Sequence, residues 1–167
     1  HALAWKSAQD KSVSEVFVCP GNAGTALESK VSNVSINIDD FAAVKDFCVK
    51  KNIDLVIVGP EQPLVDGLVD YLQSNDIKTF GPSSAAAQLE GSKTFSKDFF
   101  VKYSIPTAIY SAFDNFDSAK DHLKKIPYPT VVKADGLAAG KGVIICHTEN
   151  EALAALTSIF KDQTFGA

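Results

Sequence analysis

Short apolar runs alternate with helix-patterned stretches along the first half of this chain, and that alternation limits the architectures open to it. Val16-Phe-Val-Cys19 reads as a buried strand, and Val34-Ser-Ile-Asn-Ile38 alternates apolar and polar residues as a half-buried one. Phe41, Val44, Phe47 and Cys48 then recur at helical spacing behind Asp39 or Asp40, either of which suits an N-cap. Leu55-Val-Ile-Val58 is the most hydrophobic strand, and Leu64, Val65, Leu68, Val69 and Leu72 form the stripe of the helix after it. Thr79-Phe80 closes the series as a short strand. Strands and helices in this order build βαβ units and a largely parallel sheet.

From Ser83 the pattern changes. Ala85 to Leu89 suits a short helix, and Phe95, Phe99, Phe100 and Tyr103 mark one face of a second. Pro106 disfavours helix at the residue before it, which predicts a boundary near Ser104. Beyond lie a strand near Ala108-Ile-Tyr110, a helix around Ser118 to Lys125, and the strands Thr130-Val-Val-Lys133 and Val143-Ile-Ile-Cys146. Thr148-Glu-Asn-Glu151 reads as a capping box, opening a helix whose Leu153, Leu156, Thr157 and Phe160 share a face. The chain therefore divides into a doubly wound α/β half, residues 1–104, and a smaller α+β half, residues 105–167.

Composition narrows the function. At 167 residues and 46% apolar, the chain can bury a core, and its net charge of −4 argues against broad nucleic-acid or anionic-membrane binding, so any anion site is local. No run approaches the length of a membrane span, and no signal segment opens the chain. Cys19, Cys48 and Cys146 lack the spacing of a metal site and read as reduced core residues of a cytosolic-type protein. His122 and His147 have no partner at metal or triad spacing and read as structural or surface residues. The helical pattern of His1 to Ala8 begins at the first residue, and no closing element follows Gln163, which gives the expectation of a piece of a longer polypeptide.

Lys133-Ala-Asp-Gly-Leu-Ala-Ala-Gly-Lys-Gly-Val143 joins two strands through a glycine-rich turn. Gly136, Gly140 and Gly142 let main-chain N–H groups approach a polyanion, and Lys133 and Lys141 add positive charge. Gly142 stands where a phosphate-binding GxxxxGK[ST] loop needs a hydroxyl, so a plain hairpin with glycines at its tip is the competing reading. Two loops follow strand ends, where ligands of open α/β sheets collect. Pro20-Gly-Asn-Ala-Gly-Thr25 offers free N–H groups with Asn22 and Thr25, and Gly59-Pro-Glu-Gln-Pro-Leu64 holds Glu61 between two prolines. Ordinary strand-to-helix turns are the alternative for both. Lys93 lies in the first turn of its helix, where a lysine opposes the helix dipole unless an anion is near.

Six segments carry a resemblance to one family. His1-Ala-Leu-Ala-Trp-Lys6, Pro20–Thr25, Val58–Leu64, Gly81-Pro-Ser, Leu89-Glu-Gly-Ser-Lys93 and Lys133–Gly142 resemble, in order, the signatures of the glycinamide ribonucleotide synthetases, which belong to the ATP-grasp superfamily. The resemblance implies a Rossmann-like, parallel-sheet pre-ATP-grasp domain followed by the small α+β lid subdomain of an ATP-grasp unit. It implies ATP-dependent ligation of glycine to 5-phosphoribosylamine through a glycyl phosphate, in de novo purine biosynthesis. By similarity, Lys93, Lys133, Asp135, Gly136, Gly140, Lys141 and Gly142 contact ATP, with Lys141 the weaker choice. Gly21, Asn22, Ala23, Gly24, Thr25, Pro60 and Glu61 hold phosphoribosylamine or glycine, and no residue is assigned as catalytic.

The resemblance also implies Mg2+ or Mn2+, with acidic ligands beyond Ala167, and an incomplete phosphoribosyl site before His1. The 167 residues alone are therefore expected to be inactive. Another ATP-grasp ligase or carboxylase, or a non-catalytic nucleotide-binding module, are the rival readings. Partners are expected to be small molecules, with no nucleic acid and no membrane. The location is expected to be the cytoplasm, or a plastid if a transit peptide precedes. The resemblance leaves open a single-activity parent or one fused to later purine-pathway domains.

Overall fold

The structure is a computed structural model describing residues 1–137 and 142–162. It falls into two compact units, the first spanning His1–Ser84 and the second beginning at Ala85. The division falls between Ser84 and Ala85, ahead of the boundary expected at Ser104.

The first unit runs α1 (Ala2–Ala8), β1 (Val16–Val18), a 3-10 turn (Thr25–Leu27), β2 (Val31–Asn33), α2 (Phe41–Lys51), β3 (Val56–Ile57), α3 (Glu61–Val65), α4 (Leu68–Ser74) and β4 (Thr79–Phe80). The expected parallel pairing is present as two separate ladders. β1 pairs with β2, Val16 opposite Val31, and β3 pairs with β4, Val56 opposite Thr79.

In this unit two elements depart from the sequence reading. The second strand lies at Val31–Asn33, ahead of the expected Val34–Ile38. Its last rung is the Val34 N–H donating to the Val18 carbonyl at 2.9 Å. Pro20 then follows Cys19 on the partner strand and has no N–H to extend the ladder. The helix expected to carry Leu64 to Leu72 is broken into α3 and α4 at Gly67, whose φ of 92° costs glycine little and other residues much. The apolar stripe survives the break. Leu68, Val69 and Leu72 are buried with Cys48, Val58 and Ile77, and Phe41, Val44, Ile53, Val56, Leu64 and Tyr71 pack around them. Asp40, one of the two candidate caps, starts α2 by accepting the Ala43 N–H at 3.0 Å.

α5 (Ser84–Gly91) leads into the second unit, which holds α6 (Lys93–Lys102), α7 (Phe116–Leu123), β5 (Thr130–Lys133), β6 (Val143–Cys146) and α8 (Glu149–Phe160). α6 ends where expected, Ser104 taking φ 54° just past it. The strand expected at Ala108–Tyr110 is absent, and Ile109 is fully exposed. This stretch is instead tied back to α6. Lys97 Nζ donates to Thr107 Oγ1 at 2.7 Å and to the Ala108 carbonyl at 2.9 Å, and the Tyr110 hydroxyl donates to Asp98. α7 starts two residues before the expected Ser118 because Asn115 caps it, accepting the Ser118 N–H at 2.9 Å.

β5 and β6 pair antiparallel from Thr130–Cys146 to Lys133–Val143. Beneath them Cys146 packs with Ala119 and Leu123 of α7 and Ala152, Ala155 and Leu156 of α8. Thr148 caps α8 as its sequence predicts, while the Glu151 carboxylate reaches one residue further back, to the His147 N–H at 2.8 Å. Cys48 and Cys146 are buried, but Cys19 is exposed, a correction that follows from its place just past the end of β1. No helix of the described residues is long and apolar enough to cross a membrane.

Candidate functional site

The β5–β6 ladder forms the stem of the glycine-rich turn. Beyond the Lys133–Val143 pair, the Ala134 N–H donates to the Gly142 carbonyl at 2.8 Å, so both strands enter the turn in register. Lys133 is exposed at the end of β5, and Gly142 is buried. Gly140 and Lys141 lie outside the described residues.

Asp135 turns from this stem onto the N-terminus of α6. Its carboxylate accepts the Lys93 N–H at 2.6 Å, the Thr94 N–H at 3.3 Å, the Ser92 hydroxyl at 3.0 Å and the Gly136 N–H at 3.0 Å. Ser92 is also the N-cap of α6, its hydroxyl oxygen accepting the Phe95 N–H at 3.1 Å. The first-turn N–H groups of a helix have no intrahelical acceptor and carry the positive end of its dipole, so a carboxylate is favoured there. Asp135 is thus the anion that a lysine in this first turn called for. The Lys93 ammonium itself donates to the Gly136 carbonyl at 2.8 Å.

Desolvation pushes the Asp135 carboxyl up, but the Gly136 N–H, the Ser92 hydroxyl and the Lys93 and Thr94 N–H groups outweigh it and hold it below its ordinary 3.8. A carboxyl depressed in the folded state contributes stability that is complete above its unfolded value and is lost as the pH falls through the folded one. The difference in urea midpoint between the protein and Asp135→Asn is therefore expected to be constant above about pH 5 and to shrink below about pH 4. A difference that stayed flat to pH 3 would show that the charge of Asp135 stabilises nothing.

Of the residues expected at nucleotide, direct bonds join Lys93, Asp135 and Gly136, and the stem brings Lys133 and Gly142 to the two sides of the turn. Ser92 and Thr94 were not foreseen. Ser92 was legible, since a serine three residues before Phe95 at a helix start is an N-cap signal.

In the first unit the loop after β1 differs from its expectation. The Asn22 side-chain oxygen accepts the Gly24 N–H at 2.8 Å and the Thr25 N–H at 3.0 Å, and the Asn22 N–H donates to Thr25 Oγ1 at 2.8 Å. These N–H groups, read from sequence as free, are spent inside the loop. Asn33 of β2 completes the network, donating to the Asn22 carbonyl at 2.8 Å and meeting the buried Thr25 hydroxyl at 2.7 Å. A Cβ on Gly21 would run into the Asn33 side chain. Among the described residues the Gly21 and Ala23 N–H groups keep no acceptor. The second segment, by contrast, opens a helix: Pro60 is the N-cap of α3 and Glu61 its first residue, exposed and with no partner among the described residues. No hydrogen bond joins these two segments among the described residues, and no group of three His, Cys, Asp or Glu there could hold a metal ion.

Residues 1–90 match the family model of the phosphoribosylglycinamide synthetase N domain, and residues 91–167 that of the same synthetase's ATP-grasp (A) domain. The chain belongs to the phosphoribosylglycinamide synthetase family. The phosphoribosylamine–glycine ligase of Escherichia coli is 52% identical to this synthetase-family chain over 166 residues, 99% of the chain and 39% of the relative. That of Clostridium acetobutylicum is 54% identical over 146 residues, 87% of the chain and 35% of the relative. The crystal structure of the Thermotoga maritima phosphoribosylamine–glycine ligase matches with a TM-score of 0.73 at 28% identity, over 97% of the chain and 37% of that structure. The biotin carboxylase domain of Hydrogenobacter thermophilus 2-oxoglutarate carboxylase, solved with MgADP, ADP and bicarbonate, matches with a TM-score of 0.72 over 99% of the chain and 39% of that structure. At 19% identity it shows a shared fold. The chain thus spans about two fifths of the length of the curated relatives it matches.

Proposed function

We propose that this chain contributes the N domain and the first part of the ATP-grasp unit to an ATP-dependent ligase that joins glycine to 5-phosphoribosylamine. The reaction activates the glycine carboxylate as glycyl phosphate, and the amine then displaces phosphate, giving glycinamide ribonucleotide, ADP and phosphate for purine biosynthesis. The observation that carries this reading is that two successive domains of one synthetase match the chain end to end.

The geometry fits the chemistry. Transfer of a γ-phosphoryl group needs alignment and charge neutralisation more than covalent help. The Lys93 ammonium, with one proton on the Gly136 carbonyl, keeps two for phosphate oxygens, and Lys133 stands at the stem with no side-chain partner among the described residues. Gly136, Gly140, Lys141 and Gly142 would cover the nucleotide. Gly21 and Ala23 offer their N–H groups to phosphoribosylamine, in a loop shaped by Asn22, Gly24 and Thr25, and Pro60 places Glu61 for its hydroxyls or amine. Mg2+ or Mn2+ would neutralise phosphate charge, but the described residues provide no carboxylate cluster for it, and no step here runs through it. Buried thiols at Cys48 and Cys146 fit a reducing compartment such as the cytoplasm.

In a coupled assay, the complete polypeptide carrying this chain is expected to release ADP only when glycine and phosphoribosylamine are both present. Equal ADP release with bicarbonate or another acceptor would overturn the assignment.

A further inference from the structure

We infer that Asp135 is a positioning residue for the nucleotide: by clamping Gly136 to the N-terminus of α6, it holds the Lys93 ammonium in place for an ATP phosphate. The inference rests on the proposal that Lys93 meets ATP phosphates.

The two segments lie far apart in sequence, and two sets of bonds join them. The Asp135 carboxylate gathers the Ser92 hydroxyl and the Lys93 and Thr94 N–H groups, and the Lys93 ammonium returns to the Gly136 carbonyl. The first set fixes the backbone of the turn against the helix; the second fixes the long lysine side chain against the turn. Each depends on the other, because Gly136 is itself held by its N–H on Asp135. Without the carboxylate, three α6 donors lose their acceptor and the turn its attachment, so ATP must order both as it binds. A ligand that has to order its own site binds more weakly, and the loss falls on its affinity.

The arrangement also makes the sign of the effect diagnostic. A carboxylate seated on a helix N-terminus occupies a place where a phosphate is favoured. Were Asp135 a stand-in that ATP displaces, its removal would tighten nucleotide binding; as a clamp, its removal weakens it.

The test uses the complete ligase carrying this chain, with Asp135→Ala, Asp135→Asn and Ser92→Ala. The KM for ATP is expected to rise roughly tenfold in Asp135→Ala and about threefold in the other two, with the KM for glycine unchanged and kcat within about twofold. A general loss of folded protein would lower kcat and leave the KM for ATP alone; that result, or a lowered KM for ATP, overturns the inference. If Asp135→Ala does not fold, the two milder variants decide by the same criterion. ATP binding measured by titration calorimetry without acceptor reads the same weakening whichever acceptor the enzyme uses. A parent that binds ATP but ignores glycine therefore sinks the functional proposal alone, and variants that bind ATP as the parent does sink the clamp alone.

Discussion

If Lys133 meets ATP phosphates as proposed, replacing it with alanine in the complete polypeptide is expected to lower kcat/KM for ATP by about 100-fold or more, the cost of removing a charge from a phosphoryl-transfer site. The backbone of Lys133 is held in the β5–β6 ladder opposite Val143, while its side chain is exposed and without a partner among the described residues. Alanine at such a position changes stability by no more than about 0.5 kcal/mol. The expected signature is thus a large kinetic loss with an unchanged melting temperature, read from steady-state rates and calorimetry on the same preparation. Kinetics within twofold of the parent would remove Lys133 from the phosphate contacts.

The largest stability effect is expected in the other unit. Leu72 has no exposed surface and lies among Cys48, Val58, Leu68, Val69 and Ile77. Leu72→Ala removes buried methyl groups and leaves a cavity that short helices and two-residue strands cannot easily close. It is expected to cost about 3 kcal/mol, within the range for leucine deletions in protein cores. Leu27→Ala is the control, since Leu27 is largely exposed and its removal should fall within about 0.5 kcal/mol. Urea unfolding followed by circular dichroism measures both. A loss below about 1 kcal/mol for Leu72→Ala would mean that the first unit does not hold together around this residue.

Much of the fold is legible because its causes are local. Asp40, Asn115 and Thr148 cap helices through the N–H groups of residues three positions on, and such spacing can be read directly. The strands of the hairpin follow from two apolar runs on either side of glycines. The strand expected at Ala108–Tyr110 failed for the opposite reason. An apolar run becomes a strand only when a neighbour accepts its backbone, and here the groups around it go to the Lys97 and Asp98 side chains of α6. The same holds at Val34–Ile38, whose alternation is real but whose partner strand stops at Val18.

The candidate site divides along the same line. Which residues are proposed to lie near nucleotide or substrate rests on glycine content, lysine placement and the order of the motifs. Which of their polar groups remain available was not visible there. Asn22 and Thr25 looked like ligand contacts, and it is Asn33, on the adjacent strand, that shows how far their bonds are already spent. Asp135 looked like one more residue of a phosphate loop, and its partner Lys93 N–H lies 42 positions away.

By itself the sequence determined most of the order of strands and helices, the Thr148 cap, the family, and the two lysine-bearing segments at which nucleotide chemistry is proposed, because those depend on residues close together along the chain. Only the tertiary structure decided that Gly67 splits a helix without breaking its buried stripe, that the Gly21 and Ala23 N–H groups find no acceptor among the described residues, and that Asp135 fastens the start of the turn to α6. A backbone or side-chain polar group is satisfied by whatever folding brings within about 3 Å of it, and that neighbour need not be near it in sequence.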